Sequence, residues 1–158
     1  MEQDKQLGAA LGRIPSGLFI LTVRNGQTET GLLASFVQQC SFDPPMVSIA
    51  IQPKRPVVSL LTEGAAFTLN LLEDGQTDMI AHFGKGFSPA DDAFTGIEVE
   101  RDGPGGPVLK EALAVLECQV AGRCHAGDHD LFLARIRTGR LLDEGRPMVH
   151  VRKNGFHY

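Results

Sequence analysis

The chain is poor in the features that mark several specialised classes of protein. It has three cysteines, Cys40, Cys118 and Cys124, an odd number with no C-x-x-C spacing. That argues against a disulfide framework, fits a reducing compartment and leaves the thiols expected as buried side chains. No apolar run approaches the roughly 20 residues that cross a bilayer, so no membrane partner is expected. Positive charge is not in surplus: 15 Lys and Arg against 19 Asp and Glu leave a net charge of -4. A nucleic-acid partner is therefore not expected, although a local pair such as Lys54 and Arg55 retains the means to hold one phosphate. The opening MEQDKQLGAALGRI begins with acidic residues and lacks the basic and long apolar regions of a secretory leader. A cytoplasmic location is the expectation. Internal repeats and a dinucleotide-binding G-x-G-x-x-G are also missing.

What is present is an ordinary globular composition, 42% hydrophobic and 22% charged over 158 residues, read as one domain spanning 1–158. Leu7, Ala10, Leu11 and Ile14 recur at helical spacing and predict a short amphipathic helix packed on a sheet, closed by Pro15 and Gly17. Leu18 to Val23 is β-prone, Asn25-Gly26 is a hairpin signal, and Glu29 to Phe36 is its return strand. Met46 to Ile51 reads as a strand after the break at Asp43-Pro44-Pro45. Pro56 suits a helix start ahead of Val57, Val58, Leu60 and Leu61, with Gly64 as the stop. Phe67 to Leu72 is another strand, and Asp78 to Phe83 one or two helical turns. The loop that follows, with Gly84, Gly86 and Pro89, is a candidate lid. Residues 102–107, DGPGGP, are expected as a surface loop, and from Ala112 to Arg140 two long β-prone runs flank Gly127-Asp128. Met148 to Arg152 supplies a final strand. About six or seven strands with two or three small helices favour a mainly β fold, an antiparallel barrel.

Several motifs carry a resemblance to a known family. The segment ASFVQQCSFDPPMV resembles the flavin-contacting hairpin of the flavin reductase family, a Ser/Thr-rich stretch ending in S-x-D-P-P-hydrophobic. Phe67 to Leu72 (FTLNLL) is similar to the family's F-x-x-N-V-L strand, and Leu116-Glu117-Cys118 and Gly127-Asp128-His129 follow in the family's order. Together the matches run from about Leu11 to Tyr158. Among the branches, the chain most resembles the reductase modules of flavodiiron and rubredoxin-type electron carriers, whose opening pattern is similar to ALGRIPSGLFI at Ala10 to Ile20. The module is read here as standing alone.

The resemblance implies an FMN-binding split β-barrel, mainly β with small helices, that forms a homodimer and holds FMN, or FAD, near the subunit interface. It implies hydride transfer from NADH or NADPH to the flavin and onward to an acceptor, an electron carrier or an oxygenase partner. Carried onto this sequence, Leu33, Ala34, Ser35 and Phe36 line the isoalloxazine ring, small residues letting it approach the main chain. Cys40 and Ser41 follow on the same segment; Cys40 stands where Ser or Thr is usual, and either touches the flavin or fills the core. Lys54 and Arg55 replace the usual hydroxyl-rich phosphate grip, so the phosphate is expected to be held by charge at a helix start, unless the pair is a solvated turn. Lys85 is a second candidate for the phosphate or ribityl chain. Arg152 either reaches a phosphate across the dimer or is edge-strand charge. His129 is the catalytic candidate, as an orienter of the nicotinamide carboxamide or a proton relay, against the alternative of a turn histidine capped by Asp128 or Asp130. Cys124, His125 and His129 fall short of a zinc site, so no metal is expected.

Overall fold

The computed structural model covers residues 1–158, all of which are described. Its frame is a seven-stranded antiparallel sheet in the order β3-β2-β6-β9-β10-β5-β4. The strands are β2 (Phe19–Asn25), β3 (Thr28–Ala34), β4 (Val37–Phe42), β5 (Pro45–Ile51), β6 (Ala66–Leu71), β9 (Ala114–Ala126) and β10 (His129–Leu141). Short pairs complete it: β1 (Ser16–Gly17) with β11 (Val149–His150), and β7 (Val99–Glu100) with β8 (Val108–Leu109).

One connection forces the sheet to curl. β3 and β4 are its two edges, yet Ser35 and Phe36 alone separate them in the chain. The three steps from Ala34 to Val37 span at most about 11 Å, far less than the width of seven strands at roughly 4.8 Å each. The edges must therefore approach one another, and the result is the expected split β-barrel. Ala50 N donates to the Phe36 carbonyl at 2.9 Å, tying the link to β5.

The apolar run of β2 follows from burial on both faces. Leu21 and Val23 join the barrel interior with Ile49, Phe67, Leu69 and Phe132. Ile20, with Leu18 just ahead of the strand, joins a second core with Phe83, Phe94, Val108 and Leu109 outside the barrel wall. The expected hairpin forms, with Asn25 opposite Thr28 and Gly26 at φ +63°, a conformation that costs glycine little. The two long runs after Ala112 pair as β9 and β10, turned at Gly127 with φ +67°.

Four expectations need correction. First, residues 102–107 are not a loop standing on the surface: Gly105, Gly106 and Pro107 are buried. A Cβ on Gly106 would lie 2.2 Å from the carbonyl carbon of Thr22. The glycines let this segment lie directly against the backbones of β2 and β6, where Thr22 Oγ1 donates to the Pro107 carbonyl at 2.7 Å. Second, the amphipathic helix α1 (Glu2–Leu11) ends before Ile14 and does not pack its apolar stripe on the sheet; Leu7 on it is 49% and Ile14 beyond it 60% exposed. Its contact is through Gly8, whose carbonyl accepts from Gly155 N at 2.7 Å. Third, Pro56–Leu60 is a five-residue 3-10 turn, too short to concentrate a helix dipole on a phosphate. Fourth, Cys40 and Cys124 are exposed, and only Cys118 is buried. No helix is long and apolar enough to cross a membrane.

Candidate functional site

Two adjoining cavities open along the seam where the barrel splits, and they share Ala50, Gln52 and Tyr158 in their walls. The first, of about 240 Å³, is mostly apolar. Leu32, Leu33, Ala34 and Ser35 form one side as β3 leaves the sheet. Ala50, Ile51 and Gln52 at the end of β5 form the other. Helix α2 (Thr77–Phe83) closes the back with Ile80 and Phe83, followed by Gly84. The slot is polar at few points. Ser35 Oγ is buried without a hydrogen-bond partner, an orphan group that a ligand's polar edge would satisfy. Arg55 stands at the rim, where its Nη1 lies 3.7 Å from the position of a Cβ on Gly86.

The second cavity, of about 420 Å³, is lined by Phe36, Asp128, His129, Arg152 and the segment from Gly155 to Tyr158. Phe36 is its hub: its ring lies 5.4 Å from the His129 ring and 5.5 Å from that of Tyr158, with the Arg152 guanidinium 5.0 Å from its centroid. His129 begins β10 and is largely buried. Its Nδ1 lies 2.7 Å from Asp128 Oδ1, and its Nε2 lies 2.5 Å from the Tyr158 hydroxyl. An ionised carboxylate only accepts, so Nδ1 carries the proton and donates, which leaves Nε2 of the neutral ring to accept from the Tyr158 O–H. The hydrogen bond from His129, foremost, holds the Asp128 carboxyl below its ordinary range. Burial pushes the Tyr158 hydroxyl up, opposed by the charges of Arg55 and Arg152, so it remains a protonated donor at neutral pH.

Strand alternation sends Asp130 to the other face. There it is 1% exposed and pairs with Arg123, whose guanidinium also lies 5.1 Å over the Phe132 ring. That pair is part of the barrel wall and not of the cleft.

Of the residues singled out from sequence, Leu33, Ala34, Ser35 and Arg55 line the first cavity, and Phe36, His129 and Arg152 the second. Cys40, Ser41, Lys54 and Lys85 line neither. Cys40 is exposed on β4, an outer strand, so it fills no core and stands clear of the cleft. Lys54 is exposed, though its charge reaches Asp128. Lys85 points its exposed side chain outward from the loop after α2, which Phe87 ties down against the rings of His82 and Phe83. The sequence reading missed Gln52, Ile80, Phe83, His150 and Tyr158 on the walls. Tyr158 had a signal, being the one tyrosine in the chain, but nothing local in sequence ties it to His129, 29 residues away.

A split barrel whose seam holds an apolar slot beside a histidine-bearing cavity defines the class, and comparison with known proteins agrees. Residues 11–157 match the model of the flavin reductase like domain, and the chain belongs to that family. Diflavin flavoprotein A 1 of Synechocystis sp. is 40% identical over 157 residues, which cover 98% of this chain and 27% of that protein. The chain therefore spans about a quarter of the length of the curated relatives it matches. Among solved structures, the NADH:FAD oxidoreductase SgcE6 of Streptomyces globisporus superposes with a TM-score of 0.85 at 27% identity, covering 96% of this chain and 90% of that one. The same protein has been solved in complex with NAD and FAD fragments. The styrene monooxygenase flavin reductase of Pseudomonas putida S12 gives 0.76 at 26% identity, covering 90% of each chain.

Proposed function

We propose that this domain holds FMN in the first cavity and works as an NAD(P)H-dependent oxidoreductase, with the nicotinamide entering through the second cavity. The observation that carries the reading is the shape and chemistry of the slot: apolar walls, an orphan Ser35 hydroxyl at the β3 side and a cation, Arg55, at the rim. Apolar walls suit a flat ring, the buried hydroxyl suits its polar edge, and the guanidinium suits a phosphate. When bound, the flavin supplies a two-electron acceptor that can release electrons onward singly or in pairs.

The chain's own residues then have positioning tasks. Leu33, Ala34 and Ser35 keep the ring close to the β3 backbone, and Ile80 and Phe83 exclude water behind it. His129, its tautomer set by Asp128, presents Nε2 as an acceptor towards the second cavity. Hydride transfer between two cofactors calls for orientation at contact distance more than for a protein acid or base, so His129 is an orienter. Arg55, with Arg152 nearer the second cavity, supplies positive charge for phosphates; FMN is favoured because one terminal phosphate matches the single half-buried cation of the first cavity. In a homodimer some of the exposed apolar side chains Leu7, Ile14, Phe42, Val149 and Val151 would be covered. A cytoplasmic setting, and an acceptor that is an electron carrier or oxygenase, complete the reading. Flavin release followed by chromatography distinguishes FMN from FAD, and stopped-flow reduction by NADH and by NADPH tests the activity; absence of reduction by either would sink it.

A second reading is a flavin-holding electron-transfer module reduced by a protein partner. It is favoured by one observation, that the relatives named diflavin flavoproteins are about four times longer than this domain. Rapid, saturable reduction by a free nicotinamide dinucleotide excludes it.

A further inference from the structure

Tyr158 stands where the two cavities meet and lines both of them. It is lightly held. The residue is 62% exposed, and its attachments are one hydrogen bond to His129 Nε2 at 2.5 Å and ring contacts with Phe36 and His129. The chain leading to it is anchored further back, by Arg152 N to the Gly12 carbonyl at 3.1 Å and Gly155 N to the Gly8 carbonyl at 2.7 Å. Beyond Gly155, Phe156 N donates to Asn154 Oδ1 and the Phe156 ring rests on α1, its Cδ2 3.1 Å from the position of a Cβ on Gly8. Rotation beyond Phe156 therefore moves the Tyr158 ring without disturbing the barrel or its contact with α1.

A planar ring at the boundary of the two cavities fills volume that a second ring needs if it is to lie against one held in the first. We propose that Tyr158 occupies the place of the nicotinamide ring and yields it when the dinucleotide binds, so that it sets dinucleotide affinity as a positioning residue. The inference rests on the flavin reading above and adds a named competitor to it. The exchange conserves hydrogen bonding. With Nδ1–H given to Asp128, His129 Nε2 is an acceptor; when the Tyr158 O–H leaves, the carboxamide N–H of the nicotinamide takes its place. What the dinucleotide must overcome is the population of the closed form, which lowers its apparent affinity by the fraction of open sites.

Two variants separate the contributions. Tyr158→Phe keeps the ring and loses the hydrogen bond to His129; Tyr158→Ala loses both. Each interaction is of the order that shifts an equilibrium about fivefold. NAD⁺ titrated by calorimetry into the FMN-loaded proteins is expected to bind about fivefold more tightly in Y158F and about 25-fold more tightly in Y158A. The KM for NADH should fall in the same order. If all three proteins bind FMN and NAD⁺ equally, or Y158A binds NAD⁺ more weakly, the competitor role is overturned while the flavin reading stands. If the wild type binds no FMN, both are overturned.

Discussion

The carboxylate of Asp128 stands 2.7 Å from Nδ1 of His129, its neighbour in the turn between β9 and β10. This contact decides which nitrogen of the imidazole faces the cleft as an acceptor. Long-range ¹H–¹⁵N NMR of the neutral ring should show the Nδ1–H tautomer in the wild type. Asp128→Ala removes the acceptor and should let the Nε2–H form appear. A wild-type ring protonated on Nε2 contradicts the assignment.

Arg55 and Lys54 are adjacent in sequence but unequal in place. Arg55 is half-buried on the cavity wall, whereas Lys54 is exposed beyond it. Arg55→Ala should weaken FMN binding by about ten- to a hundredfold, the loss of one charge-assisted hydrogen bond to phosphate. Lys54→Ala should change it less than threefold, as exposed charges do. Fluorescence titration at two salt concentrations checks both, and equal effects would contradict the assignment of the phosphate to Arg55.

Gly106 tests the buried crossing of residues 102–107. A Cβ there meets the Thr22 carbonyl carbon at 2.2 Å and Val23 N at 2.3 Å, both backbone atoms that cannot yield. Gly106→Ala should destabilise the fold by about 3 kcal/mol or more by urea unfolding. Gly122→Ala, where a Cβ meets nothing within 4 Å, should stay within about 1 kcal/mol of wild type.

The cysteines divide by burial. Cys40 and Cys124 should react with iodoacetamide in the folded protein, and Cys118 only after unfolding. Burial, then the negative charge of Glu117, pushes the Cys118 thiol up to about 12 from an ordinary 9.0. The unfolded chain therefore ionises first: stability is unaffected below about pH 9 and declines as pH rises from there towards 12. Cys118→Ala should flatten that alkaline slope in denaturant midpoints measured across the range. An unchanged slope would place its cause elsewhere.

Much of the fold was legible because local chemistry and global pattern agree. Asn25-Gly26 marked the β2–β3 turn, and Gly127-Asp128 the long β9–β10 hairpin, since each supplies the backbone conformation its turn requires. Residues 102–107 misled because breakers report irregular backbone and say nothing of its depth; here glycine permits close approach to Thr22 and Thr68. The helix carrying Leu7 was legible, though it stops at Leu11 short of Ile14, and periodicity does not name what covers a stripe. At the site, the contiguous stretch from Leu33 to Phe36 was found because one strand end carries it. Tyr158, Gln52 and Phe83 were not, because only the closure of the barrel brings them together. Cys40 and Ser41 lie on the right segment but beyond the point where it leaves the cleft.

The central claim is that the seam of this barrel holds a flavin that free nicotinamide dinucleotide reduces. The most direct measurement is the anaerobic visible spectrum of the FMN-loaded protein before and after one equivalent of NADH or NADPH. The account predicts a yellow protein whose flavin absorbance bleaches rapidly with at least one of the two. A protein that takes up no FMN, or whose bound FMN stays oxidised with both donors, would contradict it.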